Sequence, residues 1–262
     1  MSALLDFTYR FKTKLKRYLT GKRVGDDFDW EFYTDHYRAE LERGSRDYTL
    51  ILKPGDYQLE GGRLLKKMAS LPLHPNHRLL YETLLQLRPD TLMEIGCGGG
   101  DHLHNLSLLE PTFQLNAIDL SADQLNLARS RHPDLKVPLR QFDLTTKTGT
   151  EQLTKVDVAY SQAVIMHIRV PENYLQALAN LFQIANRRLV LMENWRNHEF
   201  MADIRSLFAQ GKLPWPELHF HYRESEELKR PHLMIVSREP LPQYPVLTDY
   251  RVLVSPPSGV KG

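Results

Sequence analysis

From about Asn76 onward, apolar and polar positions alternate in two regular rhythms. HRLLYETLLQL has apolar residues at helical spacing, RPD closes it, and TLMEIG is a short apolar run typical of a buried strand. FQLNAIDL predicts a second strand, and SADQLNLARSRH a helix with Ser121 as its N-cap. PLRQFDL and VDVAYSQ read as the third and fourth strands. PENYLQALANLFQIA follows as a helix opened by Pro171. RRLVLMENW is the fifth strand, and FMADIRSLFAQGK a helix ended by Gly211. Strands separated by helix-length segments imply βαβ units and a mostly parallel sheet. The tail changes rhythm: LHFHYRE and HLMIVSRE are separated only by a short polar stretch, which predicts an antiparallel pair at the sheet edge.

The first 75 residues follow a different pattern. In MSALLDFTYRFKTKLKRYLTGKR, seven Lys/Arg face Asp6 alone, while Leu4, Phe7, Phe11, Leu15 and Tyr18 fall at helical spacing. Such a basic amphipathic helix either lies on an anionic membrane surface or packs on the domain or a second copy of it. GKRVGDD reads as a turn, and DWEFYTDHYRAELER as a second helix with Phe32, Tyr33 and Tyr37 on one side. The stretch to about Leu73 is mixed, broken by KPGD and by Gly61-Gly62. The expected division is a helical extension over 1–75, serving as lid, oligomerisation or membrane-surface element, and a domain over 76–262.

Composition narrows the functional classes. With 42% apolar and 25% charged residues among 262, the chain can bury a large core. A formal charge of +2 gives little support to a nucleic-acid partner. One cysteine excludes an intrachain disulfide framework. No apolar run approaches the roughly 20 residues a membrane span needs, and the N-terminus lacks a signal-peptide core. A cytoplasmic location is expected, with peripheral contact to the inner membrane face if residues 1–23 bind lipid.

The chemistry concentrates in TLMEIGCGGGDHL, where four glycines crowd into five positions between a strand and a helix. A dinucleotide fingerprint needs a small third residue where this chain has Asp101. An acidic Glu94 on the strand end also suits a cationic group better than a pyrophosphate. The pattern Glu94-x-Gly96-x-Gly98-x-Gly100 resembles the first motif of the class I S-adenosylmethionine-dependent methyltransferases. The resemblance extends over about Asn76 to the C-terminus. It implies a three-layer α/β sandwich with a seven-stranded, mostly parallel sheet ending in an antiparallel hairpin. It further implies that the loop, Cys97 included, approaches the methionine portion, that Asp119 binds the ribose hydroxyls with Leu120 on the adenine face, and that Asp143 and Leu144 meet the adenine edge. Ser161, at the end of the fourth strand, joins this cofactor set.

The methyl acceptor is expected beyond the fourth and fifth strands. His167 is the expected base for a hydroxyl acceptor, or alternatively a group that orients the substrate. Glu193, Asn194 and Trp195, with Tyr33 and Tyr37 from the extension, are the expected substrate contacts. A small-molecule or glycan hydroxyl is the expected acceptor, ahead of nitrogen. RNA or protein methylation and a non-catalytic cofactor-binding domain are the alternatives. Neither the His219/His221 pair nor the His102/His104 pair is joined by a carboxylate cluster, so no metal is expected.

Overall fold

The computed structural model describes residues 49–67, 71–195, 197–225 and 230–249. The basic amphipathic segment and Tyr33 and Tyr37 lie outside those residues. The described chain begins with two short strands, β1 (Tyr57–Glu60) and β2 (Arg63–Lys66), paired antiparallel around Gly61-Gly62. Both glycines have positive φ (57° and 81°), the geometry that a tight two-residue hairpin turn requires. This corrects the expectation of a helical extension running to residue 75. A glycine pair flanked by short apolar-polar runs makes a hairpin.

Helix α1 (Pro75–Leu87) follows. Pro75 opens it where a missing N–H costs nothing. Leu80, Tyr81 and Leu84 are buried on its inner side, and Arg88 ends it in a left-handed conformation. The βαβ region then runs β3 (Thr91–Ile95), α2 (Asp101–Leu109), β4 (Gln114–Asp119), α3 (Ala122–Arg131), β5 (Leu139–Gln141) and β6 (Val156–Gln162). It continues through α4 (Pro171–Ile184), β7 (Ala185–Met192), α5 (Phe200–Ala209), β8 (His219–Ser225) and β9 (Arg230–Ser237). Ser121 caps α3 by accepting a hydrogen bond from Gln124 N at 3.3 Å.

The seven strands are ordered β5-β4-β3-β6-β7-β9-β8. Neighbours from β5 to β7 pair parallel, while β9 pairs antiparallel with both β7 and β8. Strand order reverses beside β3, because β4 lies on one side of it and β6 on the other. A crevice opens at such a reversal, beyond the carboxyl ends of the strands.

Period-two alternation splits the core into two layers. Met93, Ile95, Ala159, Leu189 and Leu191 face Leu178, Phe182, Phe200 and Ile204 of α4 and α5. Leu92, Val158, Tyr160, Val190 and Met192 face Leu80, Tyr81, Leu84, Leu103 and Leu106 of α1 and α2. With both faces covered, the central strands must be apolar throughout, which is why they read as continuous apolar runs. Among the described residues, no helix is long and apolar enough to cross a membrane.

Candidate active site

The glycine loop joins β3 to α2. Gly96 N and Cys97 N both donate to Ile118 O (2.8 and 3.2 Å), which ties the loop to β4. Gly96 has φ 71°, and a Cβ there would lie 2.6 Å from Val164 Cγ2, so only glycine fits. Gly100, the N-cap of α2, has φ 77°, and its Cβ would lie 3.0 Å from that of Ala128. The loop therefore presents bare backbone to the crevice. Asp101 behind it accepts from Arg131 (3.0 Å) and from His132 Nε2 (2.7 Å). Burial raises the Asp101 pKa, but His132 and Arg131 outweigh it and hold the carboxyl below its ordinary range.

Three carboxylates lie at or just past successive strand ends. Glu94, on β3, is 2% exposed, and its Oε2 has no hydrogen-bond partner among the described residues. Burial, with Asp101 and Asp119 adding to it, raises its pKa well above the ordinary value against a smaller opposing effect of Tyr160. Asp119, ending β4, accepts from Gly98 N and from Ser121 N, both at 2.8 Å. Burial nevertheless raises its pKa. Asp143 accepts from Thr145 N (2.8 Å) and Thr145 Oγ1 (2.7 Å). It stands in the loop after β5 rather than on the strand, which is shorter than PLRQFDL suggests.

Two cavities of about 280 and about 180 Å³ share Gly96, Asp119, Leu120 and Val164, forming one cleft in two halves. The larger half holds Glu94, Cys97, Gly98, Gly99 and Asp101, and the smaller holds Phe142, Asp143, Leu144 and Thr145. Leu120 is 47% exposed and forms the wall between the halves. An exposed leucine on a cleft wall is a ready apolar platform.

Several predicted site residues stand elsewhere. Ser161 is fully buried and donates to Glu193 Oε1 at 2.7 Å, so it faces that carboxylate instead of the cofactor cleft. Glu193 is itself buried and also accepts from the backbone N–H groups of Val164, Ile165 and Met166 (3.1–3.3 Å). It anchors the loop after β6, which corrects its placement as a substrate contact. Burial raises its pKa against those hydrogen bonds. Trp195 is buried in the core, also contrary to a substrate role. Asn194 is exposed, and its carbonyl accepts from Asn197 N. Cys97 is buried in the loop, and burial pushes its thiol up, opposite to activation at a helix N-terminus.

His167 ends a single 3-10 turn (Ile165–His167) and lines the smaller half, beside Asp143 and Asn173. That places it just beyond β6, as expected, in the half of the cleft that does not contain Glu94. Burial, and then Arg169, lower its pKa. Conversely, the larger half contains residues that the sequence pattern did not single out for the cleft: Thr49, His77, His102, Gln124, Gln162 and Ala163. Ala163 has φ 54°, a left-handed strain of about 1 kcal/mol for a non-glycine residue. Such strain at a strand end is a signal that only the backbone shows.

The glycine loop, the reversal of strand order and the three carboxylates meet at one cleft of an α/β domain. Residues 93–186 match the family described as "Methyltransferase domain". The fold is that of the class I S-adenosylmethionine-dependent methyltransferases. A TehB-like S-adenosylmethionine-dependent methyltransferase from Corynebacterium glutamicum is similar over 83% of this chain and 97% of its own, at 15% identity and a TM-score of 0.50. Malonyl-[acyl-carrier protein] O-methyltransferase of Bacillus cereus is 26% identical over 147 residues, 56% of this chain. This chain spans about half the length of that curated relative (51%). The amino pentose methyltransferase CalS10 of Micromonospora echinaspora, solved with S-adenosylmethionine bound, is 22% identical, covering 47% of this chain and 51% of its own, with a TM-score of 0.40.

The cleft suits S-adenosylmethionine, the cofactor that the name of the Corynebacterium glutamicum protein carries. An unpartnered buried carboxylate oxygen suits a cationic amino-acid end. Bare glycine backbone permits close approach, and the Leu120 wall suits a flat ring.

Proposed function

We propose that the protein methylates a hydroxyl of a small-molecule or saccharide acceptor. The observation that carries the reading is the run of Glu94, Asp119 and Asp143 along one cleft, with Glu94 Oε2 left unpartnered beside the glycine loop. When bound, S-adenosylmethionine supplies an electrophilic methyl group on a positively charged sulfur. In this reading Glu94 holds the amino-acid end, and the free lone pairs of Asp119 accept the ribose hydroxyls. Leu120 covers the purine face, and Asp143 with Leu144 meets the purine edge. Glu193 and Ser161 take no direct part; they fix the loop that brings Gln162, Ala163 and Val164 to the cleft.

One feature supports an uncharged acceptor such as a hydroxyl. The described lining of the larger half offers neutral or acidic groups, which suits an uncharged acceptor better than an anionic one. The Bacillus cereus relative is named as an O-methyltransferase of malonyl-[acyl-carrier protein], whose free oxygen acceptor is a carboxylate; it supports oxygen over nitrogen but not a hydroxyl over a carboxylate. Tyr33 and Tyr37, which lie outside the described residues, are proposed acceptor contacts on the aromatic content of their segment. The basic segment 1–23 suits an acceptor held at an anionic membrane face, such as a lipid-linked saccharide.

The test is incubation with methyl-labelled S-adenosylmethionine and fractionated cell extract. Label in a saccharide or small-molecule fraction is the expected result. Label in RNA or protein instead would transfer the assignment to those acceptors. Stoichiometric cofactor binding with no label anywhere would mark a non-catalytic domain.

A further inference from the structure

Two histidines from different helices meet on the Glu94 side of the cleft. His77 of α1 and His102 of α2 stand edge to face, with ring centroids 4.8 Å apart, and both line the larger half. His102 Nδ1 lies 2.6 Å from the Tyr81 hydroxyl, which in turn accepts from Asn105 Nδ2 at 3.0 Å. The hydroxyl, with one lone pair occupied by Asn105, shares a short hydrogen bond with His102 Nδ1. The His102 ring is thereby fixed.

His77 is held by packing against that ring. It is 6% exposed, and its Nδ1 is buried with no hydrogen-bond partner among the described residues. Gln162 Oε1, at the end of β6, is in the same condition on the same cavity wall. Neither side chain belongs to the set assigned to the cofactor. Buried polar atoms without partners carry a desolvation penalty that a bound donor removes.

We propose that His77 holds the methyl acceptor: Nδ1 accepts a hydrogen bond from the acceptor hydroxyl, with Gln162 Oε1 beside it as a second acceptor. The inference rests on the methyltransferase reading and adds the residue that orients the nucleophile. Holding the hydroxyl proton on Nδ1 turns an oxygen lone pair toward the methyl carbon. The new oxygen–carbon bond forms as the carbon–sulfur bond breaks, and that electron pair stays on sulfur, leaving a neutral thioether. The proton passes along its hydrogen bond to Nδ1 and then to water. A protonated ether is a far stronger acid than any imidazolium, so even a weakly basic ring accepts it.

The surroundings keep this ring neutral. Burial, then His102 and His74, bring the His77 pKa down to about 3 against the opposing pull of Asp101. Burial brings His102 to about 4, again with Asp101 opposing. Glu94, Cys97, Asp119 and Tyr81 are further titratable groups around the pair. A neutral ring does not repel a sulfonium. It also selects for an acceptor that donates a hydrogen bond, so a hydroxyl fits and a carboxylate does not.

The test compares the full-length wild type with His77→Ala, His77→Asn and His77→Gln, using methyl-labelled S-adenosylmethionine and fractionated extract. Calorimetry of S-adenosylmethionine binding and thermal unfolding are run on every variant. Asn places an amide oxygen near the Nδ1 position, and Gln places one near Nε2. Expected are cofactor affinity within about twofold of wild type for all three, label transfer about 100-fold slower in His77→Ala, and at least about tenfold recovery in His77→Asn but not in His77→Gln. Transfer by His77→Ala within about twofold of wild type would overturn the proposal and leave the methyltransferase reading standing. So would a folded, cofactor-binding His77→Asn no faster than His77→Ala, or label released as methanol by mild base, the mark of a methyl ester. If His77→Ala fails to fold, the Asn and Gln variants decide in the same way. A wild type that binds no S-adenosylmethionine, or binds it and labels nothing, would overturn the methyltransferase reading and this proposal together.

Discussion

The two halves of the cleft are built differently. Around Asp143 the walls are mostly apolar, with Ile95, Ile118, Leu120, Phe142, Val164 and Ile168 among them. The Asp143 carboxylate there already accepts from its own turn at Thr145. Around Glu94 three buried polar atoms, Glu94 Oε2, His77 Nδ1 and Gln162 Oε1, have no partner among the described residues. The first half is complete without a ligand and selects by shape. The second is under-satisfied and gains most from a ligand that brings donors and positive charge. In the proposed reading, recognition of a flat, neutral ring and of a cationic chain falls to different physical chemistry within one cavity.

The most severe disruption is expected at Gly96, which both halves share. Gly96→Ala combines a left-handed φ with a 2.6 Å clash against Val164. A loss of about 2–4 kcal/mol in stability and of measurable cofactor binding is expected, read by thermal unfolding and calorimetry. Adding Val164→Ala should restore part of the stability; no recovery would mean that φ alone sets the cost.

Next comes Asp119, at the junction of the halves. Asp119→Ala removes acceptors for Gly98 N and Ser121 N and, in the proposed reading, for the ribose. Cofactor affinity should fall about ten- to 100-fold, matching loss of charged hydrogen bonds worth about 1.5–3 kcal/mol. A change of less than threefold would remove Asp119 from the site.

Glu94→Gln should separate stability from function. Its folded pKa is raised, so the folded state holds a proton that the unfolded state releases, and stability is lost as pH rises above the unfolded value. Gln removes that liability. The ligand-free variant should unfold at a higher temperature at pH 8 while binding the cofactor about tenfold more weakly. Asp143→Asn, in the satisfied half, should change affinity by only about two- to fourfold.

Acid should also distinguish the halves through His77 and His102. Both folded pKa values, about 3 and about 4, lie below the ordinary histidine value of 6.5. The unfolded state therefore binds more protons between those values, and stability falls as pH drops from about 6.5 toward 4. The slope approaches about 1.4 kcal/mol per pH unit for each ring. Unfolding midpoints from pH 7 to 4.5 should flatten in a His77→Gln/His102→Gln double variant. An unchanged slope would place the acid sensitivity elsewhere.

The legible parts of the fold were those set by local pattern. Strand-turn-helix rhythm located β3, β4, β6 and β7. Capping and closing residues such as Ser121 and Pro171 marked helix ends where the structure has them. Glu94, Asp119 and Asp143 could be aligned because each sits at or just past the end of a short apolar run. What the sequence hid depends on contacts distant along the chain. Glu193 is tied to residues 28 or 29 positions earlier, at Ile165 and Val164. His77 and His102 meet only because α1 packs on α2. Trp195 lies three residues past the end of β7, after the polar Glu193 and Asn194, yet it folds back into the same core as Phe200. The β1–β2 hairpin was missed because four-residue strands offer too short an alternation beside the stronger helical signals before them.

The most direct measurement of the central claim is calorimetric titration of S-adenosylmethionine into wild type and Glu94→Gln, with NAD as the competing ligand. The account predicts one S-adenosylmethionine per chain, no NAD binding, and weaker S-adenosylmethionine binding by a Glu94→Gln protein that is more stable without ligand. Binding of NAD in its place, or equal cofactor affinity in the two proteins, would contradict it.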